Sequence, residues 1–359
     1  MVSHANYLEQ RAIGNTGVRV SLTGFGAAPI GNLYQPVEDC TAARTITAAL
    51  SAGFSYIDTA PHYGFGLSEQ RLGQVLQHRP RTSYVLSTKV GRLLRAVDKD
   101  AAFVRHGFAG AAGFEPYFDY TYDGIMRSFE TSLQRLQTDV IDILLVHDLG
   151  TLTHGDQHAR YLRDFLEGGY RAMAALKSAG VVRALGAGTN EWQVGEELLQ
   201  HTQLDCLLLA GRYTLLEQQA CETFFPLCQQ RGVAIIAGGP FNSGILATGV
   251  CTDKPLYYNY EAAPLPVVEK VRSMEILCRE FSIPLAAAAL QFPAAHPCVS
   301  SVLAGFATPD EVAAASHWMS MAIPAEFWQE LRRRQLIHPE APLPVSAAPL
   351  SYPRAGAQQ

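Results

Sequence analysis

Short apolar runs recur along this chain, and several stop at a single polar residue. They lie near 22–28, 55–60, 84–90, 141–147, 184–189, 206–211, 233–239 and 299–305, at lengths that suit buried strands. Amphipathic patterns near 38–52, 67–78, 122–137, 165–180, 191–202, 217–231, 264–281 and 309–320 predict helices between and after them. Eight strand-then-helix units point to an α/β fold, a closed (β/α)8 TIM barrel of parallel strands. An open, doubly wound sheet has the same alternation with fewer units, and no G-x-G-x-x-G follows the first strand here.

Three segments fall outside the repeat. Residues 8–21 carry Gly14-Asn15-Thr16-Gly17 between apolar stretches, which predicts an N-terminal hairpin. Residues 91–121 form a long insertion after the third strand, rich in Phe, Tyr and Gly, and loops of this length are usually functional. A Pro- and Ala-rich tail, 324–359, follows the last predicted helix, and its final dozen residues read as a frayed terminus. Both the insertion and the tail are positioned to cover a barrel mouth. The whole chain, 1–359, is read as a single barrel domain.

Composition narrows the function classes. With 48% hydrophobic and 17% charged residues the chain has ample material for a large core. A net charge of −5 gives no basic footprint for nucleic acid. Seven scattered cysteines without metal-ligand spacing suit a reducing compartment, and no metal site is expected. The opening residues lack a signal-peptide pattern and no apolar window is long enough to span a membrane, so a cytoplasmic protein is expected.

Polar residues at the strand ends carry the chemistry. Asp58, Lys89 and His147 end the second, third and fourth runs, and Tyr63 follows Asp58 by five residues. In a parallel barrel such positions converge on one mouth. A buried carboxylate at 58 needs a cation, and Lys89 is the natural partner. A nearby ammonium favours the phenolate of Tyr63 and lowers its pKa. His147 can bond a substrate oxygen or relay a proton. Proton transfer is therefore expected at this site.

The stretches Asp58-Thr-Ala-Pro-His-Tyr-Gly, Leu86-Ser-Thr-Lys-Val-Gly-Arg92, Asp142-Ile-Leu-Leu-Val-His-Asp148 and Gly186-Ala-Gly-Thr-Asn-Glu-Trp192 resemble the aldo-keto reductase superfamily. Gly211-Arg-Tyr-Thr-Leu-Leu-Glu217, Gly239-Pro-Phe-Asn-Ser-Gly-Ile-Leu246 and Ala287-Ala-Ala-Leu-Gln-Phe-Pro293 are similar to its sugar 1-dehydrogenase branch, which includes D-threo-aldose (L-fucose) dehydrogenases and pyridoxal 4-dehydrogenases. The resemblance implies a nicotinamide cofactor across the mouth and no metal. It implies Tyr63 as proton donor or acceptor, Lys89 and Asp58 as its tuning pair, and His147 as the group orienting the substrate oxygen. Thr189 and Asn190 would bond the carboxamide, and Gly239, Pro240, Phe241, Asn242, Ser243 and Gly244 would face the pyrophosphate. Family members often carry Gln on the sixth strand and an aromatic ring on the seventh, whereas Ala210 and Gly238 stand here. Tyr213 and Phe241 are the candidates to fill that face.

Gly305, Ala307, Asp310 and Glu311 are expected at the adenosine end of the cofactor. No Arg or Lys lies in this segment to meet a 2′-phosphate, so NAD is expected over NADP, and with it the oxidative direction. The expected partner is a small molecule, a cyclic hemiacetal oxidised to a lactone: an L-fucose-like sugar first, pyridoxal second. His62, Asp148, Trp192 and Arg212 are candidate substrate contacts. The alternatives are an NADPH-dependent aldehyde or ketone reductase, and a non-catalytic cofactor-sensing subunit. Oligomeric state is left open.

Overall fold

The computed structural model describes residues 9–97, 104–110, 113–253 and 255–344. The eight expected strands are β1 (Thr23–Gly26), β2 (Tyr56–Asp58), β3 (Val85–Val90), β4 (Ile141–His147), β5 (Val182–Thr189), β6 (Cys206–Ala210), β7 (Ala234–Gly238) and β8 (Val299–Gly305). They pair in sequence order, all in parallel, and β8 returns to β1, so the sheet closes. Closure removes every strand edge and excludes the open-sheet alternative.

Between and after the strands stand α1 (Asp39–Ser51), α2 (Leu67–Leu76), α3 (Tyr122–Leu136), α4 (Tyr170–Ser178), α5 (Trp192–His201), α6 (Phe224–Arg231), α7 (Leu265–Glu280), α8 (Leu285–Ala294), α9 (Pro309–Ser320) and α10 (Ala325–Arg333). The outer core lies between strands and helices, where outward strand residues such as Ile57, Leu86, Leu144 and Val146 are buried. A separate interior cluster fills the lumen with Tyr56, Ile143, Leu145, Cys206, Leu208, Ile236 and Leu303. The N-terminal hairpin pairs Gln10–Ala12 with Arg19–Ser21, and its Ile13, Val18 and Val20 belong to that interior cluster. It therefore plugs the barrel floor.

Strand alternation places the site. Tyr56 points inward and so does Asp58; Ile143 and Leu145 point inward and His147 completes that series. Lys89 follows Ser87, which is itself bonded to the inward-facing Tyr56. Side chains two residues apart share a face, so three polar groups crown a mostly apolar lumen.

Some elements depart from the expected pattern. The helix expected at 165–180 opens with a π-helical turn, Phe165–Gly169, and follows two short helices, Thr151–His154 and His158–Asp164. Helix α8 carries no amphipathic signal because Leu285, Ala286, Ala287, Ala288, Ala289 and Leu290 are all buried. Part of the expected tail is α10, whose Phe327 and Trp328 rest on Phe281 and Phe292 of the neighbouring segments. The described part of the tail, 324–344, thus packs on the outer wall and not over the mouth; residues 345–359, which include the final dozen read from the sequence as a frayed terminus, lie outside the described residues. In the 91–121 insertion, Arg92–Ala96 pairs with Phe114–Phe118, and Val104–Arg105 with Phe108–Ala109. Phe103 and the opening residues 1–8 also lie outside the described residues. Among the described residues no helix is long and apolar enough to cross a membrane.

Candidate active site

Lys89 is the centre of the site. Its ammonium donates to Asp58 Oδ2 at 2.6 Å, the Thr59 carbonyl at 3.0 Å and Tyr63 Oη at 3.0 Å. Lys89 and Asp58 are each 2% exposed or less, so the charges answer one another and not water. Burial opposes the Lys89 charge, but Asp58 and Tyr63 outweigh it and hold the ammonium above its ordinary range. Burial likewise pushes Asp58 up, against the pull of Lys89 and a 2.7 Å bond from Ser87 Oγ.

The chain holds Tyr63 by a close backbone approach. Gly31 and Gly64 press together here: a Cβ on Gly31 would stand 2.8 Å from the Tyr63 carbonyl carbon, and one on Gly64 2.3 Å from the Gly31 oxygen. Gly64 also has φ +63°, which side-chain-bearing residues rarely adopt. Burial raises the Tyr63 phenol above its ordinary value, against the lowering effect of Lys89. The sequence expectation of a lowered pKa is therefore reversed in the free protein, because desolvation of the phenolate outweighs one ammonium.

His147 meets Tyr63 edge-on, with ring centroids 6.1 Å apart. Burial, then Lys89, Arg92 and His62, push the imidazole well below its ordinary range, so it is neutral. Its Nδ1 is buried without a partner among the described residues, and Nε2 stands 3.4 Å from Asp148 Oδ2. Asp148, in the left-handed region at φ 51°, also receives Arg92 at 3.1 Å and Asn190 Nδ2 at 3.4 Å.

Two cavities meet at Tyr63. The first, of about 480 Å³, is lined by His62, Lys89, Arg92, Phe108, His147, Asp148, Thr189 and Asn190 among others. The second, of about 650 Å³, runs from Asp58 and Tyr63 past Leu208, Ala210 and Gly238 to Gly239, Pro240, Phe241, Asn242, Ser243 and Gly244, and on to Gly305, Ala307, Asp310 and Glu311. Leu208, Ala210, Tyr34 and Tyr260 border both. Turn backbone with positive φ at Gly239, Asn242, Ser243 and Gly244 makes the concave loop that suits an anionic group. In register, Ala210 pairs with Gly238, and a Cβ on Gly238 would stand 2.9 Å from Leu208 Cδ2. A long, mostly apolar channel with such a loop fits a dinucleotide, which the loop from Gly239 to Gly244 would hold.

The structure separates the predicted residues into several groups. His62 and Asp148 line the first cavity. Trp192 does not; it packs against Phe224 as the first residue of α5. Arg212 lies outside both linings and braces the wall, donating to the Asn190 carbonyl at 2.5 Å and Asn259 Oδ1 at 2.9 Å. Tyr213 is wholly buried among Phe225, Phe292 and His296, so only Phe241 of the two candidates faces the channel. The side chain of Asn242 is spent on Thr214 and Gly211, joining the loops after β6 and β7. Thr189 Oγ1 is engaged with the backbone of Glu191. Glu311 closes a capping box on Thr308 and accepts the Ala307 N–H at 2.6 Å, so one carboxylate oxygen is committed to starting α9.

Sequence reasoning assigned no site role to Arg92, His106, Tyr34 or Tyr260. Arg92 sat inside a quoted motif. The two tyrosines come from loops after β1 and β7, and nothing local marks them.

Comparison with known proteins agrees with this geometry. The Aldo/keto reductase family model matches residues 23–334. Pyridoxal 4-dehydrogenase of Microbacterium luteolum is 41% identical over 93% of this chain and 99% of its own length. D-threo-aldose 1-dehydrogenase of a Pseudomonas species is 36% identical over 89% and 96%. The solved holo form of an aldo-keto reductase from Bacillus halodurans superposes with a TM-score of 0.68 at 28% identity, over 90% of this chain and 95% of that one. Strand-end residues converging on a barrel mouth, and similarity along nearly the whole length, lead to one conclusion: the chain belongs to the aldo/keto reductase family, as an NAD(P)-dependent oxidoreductase acting on CH–OH groups.

Proposed function

We propose that this enzyme oxidises the hemiacetal carbon of a small cyclic substrate to a lactone, with NAD as its cofactor. Bound NAD supplies the acceptor for the carbon-bound hydrogen, which leaves with its electron pair. The hydroxyl proton passes to Tyr63 Oη, and the C–O bond becomes a carbonyl. Lys89 favours the phenolate that must take this proton, and Asp58 keeps the ammonium in place. A neutral His147 donates or accepts one hydrogen bond to the reacting oxygen without adding charge.

The preference for NAD is supported by the lining of the larger cavity, which contains no Arg or Lys among the described residues while Asp310 and Glu311 stand at its far end. A 2′-phosphate would meet carboxylates there and no charge-assisted donor. The observation that carries the substrate class is the cavity at Tyr63, compact and walled by Tyr34, His62, Phe108 and Tyr260. These rings suit the flat hemiacetal of pyridoxal, in keeping with the 41% identical relative. The second reading, an aldose of the L-fucose type, is favoured by the Arg92–Asp148–Asn190 chain of hydrogen-bonding groups on the same wall.

A spectrophotometric panel tests the proposal by following NAD reduction with pyridoxal, L-fucose, L-galactose and D-arabinose. Turnover with pyridoxal or a sugar, and a preference for NAD over NADP, is expected. If none reacts while simple aldehydes consume NADPH, the enzyme is a reductase and the proposal fails.

A further inference from the structure

Beneath the four polar residues at the mouth lies a buried chain of hydroxyls. Tyr56 Oη stands 3.0 Å from Ser87 Oγ, and Ser87 Oγ stands 2.7 Å from Asp58 Oδ1. Both Tyr56 and Ser87 are wholly buried. The direction of this chain is fixed by valence. An ionised carboxylate only accepts, so Ser87 gives its one proton to Asp58, and Tyr56 must then donate to Ser87. Asp58 Oδ2 is taken by Lys89, so the two oxygens are held by different groups, one charged and one neutral.

We propose that Ser87 and Tyr56 are positioning residues that set the proton affinity of Tyr63 through Asp58. The reading rests on Tyr63 being the proton-transfer group. A hydroxyl bonded to Oδ1 spreads the carboxylate charge of Asp58, which stays ionised against Lys89, and so weakens the field it presents to its neighbours. Without it Asp58 is more basic, draws the Lys89 ammonium more strongly to itself, and presents a fuller negative charge to Tyr63. The phenol then ionises at higher pH. Other groups facing Tyr63 are Arg92, His62, His147, Asp148 and Tyr260, and Cys206 faces Tyr56 and Asp58; none of them bonds Oδ1 among the described residues. A simple packing role for Tyr56 and Ser87 would need neither hydroxyl.

The test compares Ser87→Ala and Tyr56→Phe with the unaltered enzyme. Tyrosinate absorbance is titrated in each, with and without Tyr63→Phe, and the difference gives the ionisation of Tyr63 without any substrate. An upward shift of about one pH unit is expected for Ser87→Ala, and a smaller one in the same direction for Tyr56→Phe. The pH profile of kcat/KM moves with it, so about tenfold is lost at neutral pH and recovered in alkali. Restoring the hydroxyl with Ser87→Thr returns the profile towards its original position. An unshifted Tyr63 ionisation overturns the proposal, even if turnover falls, because a fall without a shift is damage to packing. If Ser87→Ala does not fold, Tyr56→Phe preserves the ring and carries the same test. Failure of every substrate with the unaltered enzyme would instead count against the proposed reaction, leaving the titration to decide this inference.

Discussion

Replacing Lys89 by Met keeps an unbranched side chain, one atom shorter, and deletes its charge, which exposes the electrostatics of the buried pair. Three hydrogen bonds are lost, to Asp58, Thr59 and Tyr63, at 2.6, 3.0 and 3.0 Å. Asp58, 1% exposed, is left with Ser87 alone. Breaking one side of a buried pair costs about 3–5 kcal/mol, because the remaining charge has neither water nor a counterion. At about 2 °C per kcal/mol for a chain of this size, the melting temperature should fall by roughly 6–10 °C at neutral pH. The sign with pH follows from Asp58. Without the ammonium its folded pKa lies further above the ordinary unfolded value, so the folded state binds the proton more tightly. Stability is then fully present below the unfolded pKa and is lost as pH rises through the folded one. The deficit of Lys89→Met should therefore shrink on acidification. Thermal unfolding of both proteins across a pH series measures this, and Asp58→Asn/Lys89→Met should recover most of the loss at neutral pH while remaining inactive. A Lys89→Met enzyme that melts with the original, or whose deficit does not respond to acid, would refute the reasoning.

Three further outcomes are expected. Tyr63→Phe should lower turnover by about 10²–10⁴-fold, the usual contribution of general acid–base catalysis, while fluorescence titration shows cofactor binding unchanged. Asp310→Arg, at an exposed position bordering the channel, should move the ratio of kcat/KM values towards NADP by about tenfold, since it supplies a donor for a 2′-phosphate; an unchanged ratio would contradict the placement of the adenosine end. His296 is pushed down to about 4 by burial, and its Nδ1 accepts the Cys298 N–H at 3.1 Å. A His with a depressed folded pKa loses its stabilising effect as pH falls below the unfolded value near 6.5. The melting temperature should drop between pH 6.5 and 4, and His296→Gln should flatten that drop.

The barrel was legible because its signal is periodic and local. Each strand run ends where inward residues turn polar, and Asp58, Lys89 and His147 stand out against Ile57, Val90 and Val146 without any tertiary information. Helix α8 was not legible, since a helix buried on all sides has no polar face to reveal its period. The walls of the site were harder still. Tyr34 and Tyr260 arrive from loops more than two hundred residues apart in sequence, and only closure of the barrel brings them to Tyr63. Trp192, Arg212 and Tyr213 show the converse. Each sits within a few residues of a strand end, yet the direction of the next turn sends its side chain into the outer core or a bracing bond. The lack of basic residues from 305 to 311 is visible in the sequence itself, while the part played by Glu311 in starting α9 emerges only from its bonds to Ala307 and Thr308.

The most direct measurement follows the hydrogen that leaves carbon. A hemiacetal substrate deuterated at the oxidised carbon is incubated with enzyme and NAD, and both products are analysed by mass spectrometry. Deuterium carried on the reduced nicotinamide, together with an unlabelled lactone, is the predicted result. Deuterium released to water, or a product reduced at the expense of NADPH, would contradict the account.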